Sequence, residues 1–266
     1  MNSGVVPISD FNLALSVILV VVAGGISAAL RLGLLKALIW GTARTFIQLT
    51  FIGYVLKYVF TVNNLWMIFG IVVLMCYVAA RAAVKRTPGV PKYPVTLAFW
   101  SLLASTVLVG LVVVRVIINP APWYTARIII PIFGMILGNS MNGIALSLDR
   151  LYGESYARAG EIEALLAFGA TPWEAIRGCV IDAMRAGMTP TINSLMVVGL
   201  VSLPGMMTGQ ILGGADPHEA VRYQIVVMLM IAAAVAIGCL LLVGFSYKRL
   251  FTADWALRSE ILQSRR

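Results

Sequence analysis

The sequence predicts an all-α, polytopic membrane protein with about seven transmembrane helices and a cytoplasmic segment of two short coupling helices. Of its 266 residues, 60% are hydrophobic and 12% are charged, whereas soluble domains are nearer half apolar and a quarter charged. The apolar residues occur in runs of about 20, the length of helix that crosses about 30 Å of hydrocarbon. Residues 1–266 are therefore interpreted as a single transmembrane domain with a mixed segment at 148–188.

Seven apolar runs account for the predicted spans. Helix is favoured over strand because backbone groups in lipid must form hydrogen bonds within their own segment. The alternating pattern of a membrane β-strand is absent from the sequence. The runs are Phe11–Leu30, Leu34–Val59, Leu65–Val84, Val95–Ile118, Thr125–Ser147, Thr189–Leu212 and Val221–Phe245.

Basic residues fall mainly in alternate connections, and this bias predicts the orientation. One set of connections holds 15 Lys and Arg, the other holds four, and Arg44 lies inside the second run. Because positive charge stays on the cytoplasmic side, we expect an inner (plasma) membrane protein with its N-terminus outside and its C-terminus in the cytoplasm. The cytoplasmic set is Arg31, Lys36, Arg81, Lys85, Arg86, Lys92, Arg150, Arg158, Arg177, Arg185, Lys248, Arg249, Arg258, Arg265 and Arg266.

The mixed segment between the fifth and sixth runs, Leu148–Met188, predicts two short helices on the cytoplasmic side. Ser155 can cap the first helix, and Gly169 can end it because glycine accepts the left-handed conformation. Gly187 and Pro190 are expected to separate the second helix from the sixth span.

The second short helix has a defined start. Thr171 and Glu174 have the spacing of a capping box, and Pro172 suits the first helical position. The acidic residues Glu161, Glu163 and Glu174 are interpreted as caps and as partners of Arg158 or Arg177. The chain has one histidine and neither an HExxH nor a GxSxG motif, so no catalytic residue and no cofactor is expected.

Residues Glu161–Thr171 resemble the EAA loop of ABC-transporter permeases, in which Glu-Ala is followed by glycine at the spacing of Glu163 to Gly169. Two short helices that meet at a glycine form a compact knob that can sit in a cleft of a cytoplasmic ATPase. The alternative is an interfacial helix pair that only decorates the bilayer. The resemblance implies ATPase-coupling roles for Glu163, Ala164, Gly169, Ala170 and Thr171.

A second resemblance covers almost the whole chain, from about Leu30 to Phe245. Four stretches, PTINSLM at 190–196, GLVSLPGMMTGQ at 199–210, YQ at 223–224 and RTxxQLxxxG at 44–53, are similar to the FetB family of iron-export ABC permeases. Plant aluminium-tolerance permeases are relatives of that family. The resemblance implies a permease homodimer that binds two copies of a separate ATPase and exports metal, with iron first.

This chain is expected to be a transport subunit and not an enzyme, since it contains no GxxxxGK[ST] phosphate loop. Membrane lipid is its expected environment, and no nucleic-acid partner is expected. Three alternatives stay open. The chain could be an ABC permease for a nucleotide sugar, to which the plant relatives are linked, a secondary transporter or channel that needs no ATPase, or a membrane scaffold.

Polar residues inside the spans are candidates for the substrate pathway or a gate. Arg44 is the one charge deep within a span, where burial is expensive, and Gln48 shares its helical face. Arg44 would repel a bare cation, which favours gating, pairing with an acid, or an anionic or chelated substrate. The alternative is an arginine that snorkels to the interface. The candidates are Arg44, Gln48, Asn193, Met206, Met207 and Gln210.

Two adjacent features near the outer side complete the candidates. Pro204 and Gly205 are expected to break the sixth span, and broken helices in transporters often mark a binding site or hinge. Met206 and Met207 could then act as a gate, contact metal or simply pack, so the metal ligands stay unknown. In the outer loop, Asp216, His218 and Glu219 are interpreted chiefly as a helix cap rather than as a metal site.

Overall fold

The computed structural model describes residues 9–85, 87 and 94–258. The regular elements in these residues are helices, which confirms the predicted all-α class. Within these residues there are isolated bridges but no strands. The helices are α1 (Asp10–Leu15), α2 (Val17–Ala29), α3 (Leu35–Val62), α4 (Leu65–Lys85), α5 (Pro94–Val112, continued by a π-helical turn, Val113–Ile118), α6 (Ala126–Ala157), α7 (Ala159–Ala167), α8 (Pro172–Val197), α9 (Gly205–Leu212) and α10 (Pro217–Tyr247, then a 3₁₀ turn, Lys248–Leu250).

The core lies around α6, which contacts α4, α5, α8 and α10. Small residues allow the closest approach. A Cβ atom added to Gly143 of α6 would lie 3.0 Å from the carbonyl oxygen of Gly187 in α8 and 3.3 Å from the Sγ atom of Cys239 in α10. Such small-residue contacts replace the hydrophobic effect as the source of helix association in lipid. Cys76, Cys179 and Cys239 are free and buried, as expected of small core residues.

The first two predicted spans lie largely outside this core. Helix α3 has one buried residue, Val59, near its C-terminal end. There Asn63 ends the helix in the left-handed conformation, and its Oδ1 atom accepts a hydrogen bond of 2.8 Å from the backbone N–H of Ala126. The rest of α3 leaves aromatic and aliphatic side chains exposed on both sides.

Six of the described helices are long and apolar enough to cross a membrane. The sixth predicted span, Thr189–Leu212, is not among these six helices and is composite. Helix α8 ends at Val197, an irregular stretch follows at 198–204, and α9 restarts at Gly205. The predicted interruption of this span is confirmed, but it begins at Val198, and Gly205 starts the next helix. The count of seven spans stays a prediction. Arg86, Lys92, Arg265 and Arg266 of the basic set lie outside the described residues.

Two boundary predictions for the cytoplasmic segment are wrong. Gly187 and Pro190 do not end a helix, because α8 continues through both of them to Val197. Gly187 instead supplies close packing, and a proline is tolerated where neighbouring helices support the backbone. Ser155 does not cap a helix either: it is buried inside α6, where its hydroxyl donates to the carbonyl oxygen of Leu151 at 2.7 Å. Helix α6 thus extends ten residues beyond the predicted end at Ser147.

Candidate functional site

The turn between α7 and α8 has the geometry that the sequence predicts. Gly169 has a φ of +91° and follows the last turn of α7. Its N–H donates to the carbonyl of Leu166, and the N–H of Ala170 donates to the carbonyl of Leu165, both at 3.0 Å. This pair of bonds is a Schellman motif, which requires a left-handed residue at the position of the glycine. The predicted helix end at Gly169 is confirmed.

The capping box at the start of α8 is also confirmed. The Thr171 hydroxyl accepts a hydrogen bond of 3.3 Å from the backbone N–H of Glu174. In return, one Glu174 carboxylate oxygen accepts from the Thr171 N–H at 2.8 Å and from its hydroxyl at 2.7 Å. Pro172 occupies the first helical position. The turn is therefore short and defined at both of its ends.

This cap makes the stability of the turn depend on pH. Hydrogen bonds from the Thr171 backbone N–H and hydroxyl hold the pKa of Glu174 below its usual value of 4.5. The ionised carboxylate stabilises the fold fully above that value, and the contribution is lost as pH falls through the lowered, folded-state pKa. In thermal melts, we expect the difference between wild type and Glu174→Ala to be constant from about pH 8 to about pH 5 and smaller at more acidic pH. A difference that grows on acidification would contradict this.

An arginine joins the α7–α8 knob to the end of α6. The Arg158 guanidinium lies 2.9 Å from the Glu154 carboxylate of α6 and 3.0 Å from the Asp182 carboxylate of α8. The Glu154 charge, and to a smaller extent that of Asp182, raises the pKa of Arg158. The predicted ion pairing of Arg158 is confirmed, but its partners are Glu154 and Asp182 and not Glu161, Glu163 or Glu174.

The five predicted coupling residues lie together at the tip of this knob. Glu163, Ala164, Gly169 and Thr171 are exposed, and Ala170 is partly so. Ile162 anchors α7 from its opposite face and is buried in the core. Sequence reasoning missed Phe168, whose side chain is 90% exposed at the end of α7. Phe168 directly precedes the turn glycine, and this position could have indicated an exposed side chain.

A polar cavity of about 450 Å³ lies where the composite span is broken. It is bounded by α6, α8, α9 and α10. Asn139 and Asn142 of α6 line one side, and Gln224 of α10 lines another. The remaining lining includes Met135, Pro190, Thr191, Ser194, Ser202, Pro204, Gly205, Met206 and Met228.

The predicted pathway residues divide between this cavity and other surfaces. Met206 lines the cavity, and Met207 is buried beside a neighbouring cavity of about 360 Å³ that Gln224 also lines. Gln210 lies on α9 outside both linings, and its Oε1 atom is buried without a partner among the described residues. The structure does not bring Arg44, Gln48 or Asn193 to the cavity: Asn193 is exposed on α8, and the other two are exposed on α3.

The loop before α10 serves as a cap. The Asp216 carboxylate accepts hydrogen bonds from the N–H groups of His218, at 2.8 Å, and Glu219, at 3.3 Å. Glu219 in turn lies 3.5 Å from Arg222. Among the described residues, no group of three or more His, Cys, Asp or Glu side chains is placed to hold a metal ion. The capping interpretation of this loop is confirmed.

Comparison with known proteins agrees with the resemblance found in the sequence. The chain is 38% identical to the UPF0014 membrane protein YjkA of Bacillus subtilis over 93% of this chain and 97% of that protein. It is 36% identical to the "Probable iron export permease protein FetB" of Escherichia coli, over 92% and 93% of the two chains. It is 34% identical to the protein ALUMINUM SENSITIVE 3 of Arabidopsis thaliana, over 94% and 90%. No solved structure matches the chain.

The family assignment covers nearly all of the molecule described above. The match to the family runs through residues 10–251, from the start of α1 to the residue after the 3₁₀ turn, and so includes the knob, the cavity and every predicted span. The chain belongs to the uncharacterised protein family UPF0014.

Proposed function

We propose that this chain is the membrane permease subunit of an ATP-driven ABC transporter that exports metal, with iron as the first candidate. The observation that supports this most is the continuity of α8. One helix of 26 residues starts at the coupling turn, at Pro172, and ends at Val197 beside the polar cavity. At about 1.5 Å per residue, it connects two points about 39 Å apart.

This geometry suits a lever. A partner that moved the knob would move the start of α8 as a rigid body, because the capping box and the Arg158 ion pairs hold that end together. The close Gly143–Gly187 contact lies partway along the helix and provides a pivot. Displacement at the far end would then change the shape of the cavity, which is what alternating access requires.

The metal substrate is supported by relatedness. The Escherichia coli relative carries iron export in its name, and the Arabidopsis relative carries aluminium sensitivity. Both match this chain over almost its whole length. Metal passing through the cavity would be cargo for the transporter and not a bound cofactor.

A second copy of the chain is part of the proposal. Arg44 and Gln48 lie on an exposed face of α3, and Arg44 has no ion-pair partner within the described part of the chain. On insertion scales, a charged side chain that faces hydrocarbon at the centre of a helix costs about 2.5–3.5 kcal/mol. Burying this face against a second permease chain would remove Arg44 from hydrocarbon. A purified complex whose mass accommodates a single permease chain would contradict this arrangement.

The test is reconstitution with an ABC ATPase from the organism that makes this chain. The two proteins are co-purified and placed in lipid vesicles, and ATP hydrolysis and flux are measured with Fe(II), other metals and nucleotide sugars. We expect a stable complex whose hydrolysis is stimulated by iron and accompanied by ATP-dependent iron flux. Stimulation by a nucleotide sugar alone would replace the metal assignment. Flux without any bound ATPase would identify a secondary transporter or channel instead.

A further inference from the structure

We infer that the cavity at the broken span binds an anion, either an oxyanion or an anionic metal chelate, rather than a bare metal cation. The inference rests on the proposed function only in taking this cavity as the substrate site. It concerns the chemical form of the substrate, which the name of no relative specifies.

The lining chemistry does not suit an uncomplexed iron cation. The described side chains that line the cavity are amides, hydroxyls, thioethers and aliphatic groups, with no Asp, Glu, His or Cys among them. Iron in proteins is held mainly by imidazole, carboxylate and thiolate groups, while thioethers suit soft ions such as Cu(I). A divalent cation would leave its water shell here and receive only neutral donors in exchange.

The start of α9 gives the cavity a positive pole. Pro204, Gly205 and Met206 line the cavity and form the first residues of this helix. Pro204 occupies the N-cap position and has no side-chain group to accept hydrogen bonds from the first backbone N–H groups. Uncapped N–H donors and the helix dipole together attract anions, and half-helix N-termini in transporters bind the anionic groups of substrates.

Gln224 is a second, independent indication of a polar ligand. It is only 6% exposed and lines the same cavity from α10. Its Oε1 atom has no hydrogen-bond partner among the described residues. Buried amides are normally satisfied, so an unsatisfied one at a cavity wall indicates a missing ligand. The oxygen and nitrogen of an amide are told apart only by their hydrogen bonds, and none fixes the orientation of Gln224. With the two atoms exchanged, the unsatisfied position carries two N–H donors, which suit an oxyanion.

The sign of the charge on the ligand can be tested by adding a negative charge to the cavity. The chain is purified without the ATPase into lipid nanodiscs, and equilibrium dialysis measures binding of iron(III) citrate, citrate alone, inorganic phosphate, and Fe(II) kept reduced. Gln224→Glu adds a negative charge to the cavity with almost no change in volume. Gln224→Met removes the amide and adds no charge. Asn12→Asp adds the same charge at an exposed position on α1, away from the cavity.

We expect at least one anionic probe to bind wild type, Gln224→Glu to weaken that binding about tenfold or more, and Asn12→Asp to leave it unchanged. Gln224→Met should weaken it by a smaller factor, which keeps the test usable if the glutamate variant does not fold. Binding of iron(III) citrate but not of citrate alone would identify a chelate. Binding of citrate alone or of phosphate would identify a free oxyanion.

Binding of reduced Fe(II) to the wild-type chain that Gln224→Met weakens would overturn the inference, as would the absence of binding by every anionic probe. Because the ATPase is left out, either result is independent of the coupling proposal, which depends on complex formation and stimulated hydrolysis.

Discussion

Replacing Gly187 with alanine is expected to destabilise the whole helix bundle more than any other single-methyl change in the core. A Cβ atom at this position would overlap the Oγ atom of Ser147 and would lie 2.8 Å from the carbonyl oxygen of Gly143 and 2.9 Å from the Sγ atom of Cys239. A side chain could rotate away, but the Gly143 carbonyl belongs to the backbone of α6. The helices α6 and α8 would have to separate, at a cost on the order of 3 kcal/mol.

Thermal unfolding of the purified protein measures this effect, together with the amount of folded protein in membranes. Gly138→Ala is the matched control because it adds the same methyl group to α6 at a position with nothing within 4 Å. We expect Gly138→Ala to melt like wild type and Gly187→Ala to melt well below it. Equal melting temperatures for the two variants would show that α6 and α8 do not approach as closely as described here.

Under the proposed coupling, replacing Gly169 with arginine is expected to prevent binding of the proposed partner ATPase. The position is exposed at the tip of the knob, and nothing lies within 4 Å of an added Cβ atom. The arginine would therefore project into the partner rather than into this chain. Its φ of +91° is also unfavourable for any residue with a side chain, at a cost of about 1–2 kcal/mol. Truncating a hot-spot residue at the centre of an interface costs about 2 kcal/mol or more in binding free energy, and an arginine that excludes the partner is expected to lower the affinity by at least as much.

Gly214→Arg separates exclusion of the partner from backbone strain. Gly214 has a φ of +90°, and its added Cβ atom also has nothing within 4 Å, but it lies in the loop before α10 at the opposite end of that helix from the knob. Co-purification with the ATPase and ATP-driven flux are measured for both variants. We expect Gly214→Arg to retain the complex and Gly169→Arg to lose it. Retention by both variants would remove the knob from the coupling interface, and loss by both would assign the effect to strain.

Local chemistry made several elements predictable. The capping box of Thr171 and Glu174 and the Asp216 cap of α10 depend on hydrogen bonds between residues two or three positions apart. The glycine turn that ends α7 depends on backbone hydrogen bonds between residues three and five positions apart. The apolar runs were equally readable, since each span satisfies its own backbone hydrogen bonds. The break at Pro204 follows from the same kind of local rule.

The candidate site could be predicted only in part. Met206 was found because it follows the helix break, whereas Gln224 lies on another helix and gains its role from a cavity that α6, α8, α9 and α10 enclose together. Arg44 was singled out by its charge, but its position on an exposed face of α3, away from that cavity, depends on how the helices are arranged.

By itself, the sequence determined that the chain is a helical membrane protein, where most of its spans lie and how the turn between α7 and α8 is capped. Only the tertiary structure decided that α8 continues through Gly187 and Pro190 to Val197 and so joins the knob to the cavity. Glycine and proline normally favour a helix end, but here the small Gly187 allows α6 and α10 to pack against α8. That packing joins residues far apart along the chain, and no local pattern reports it.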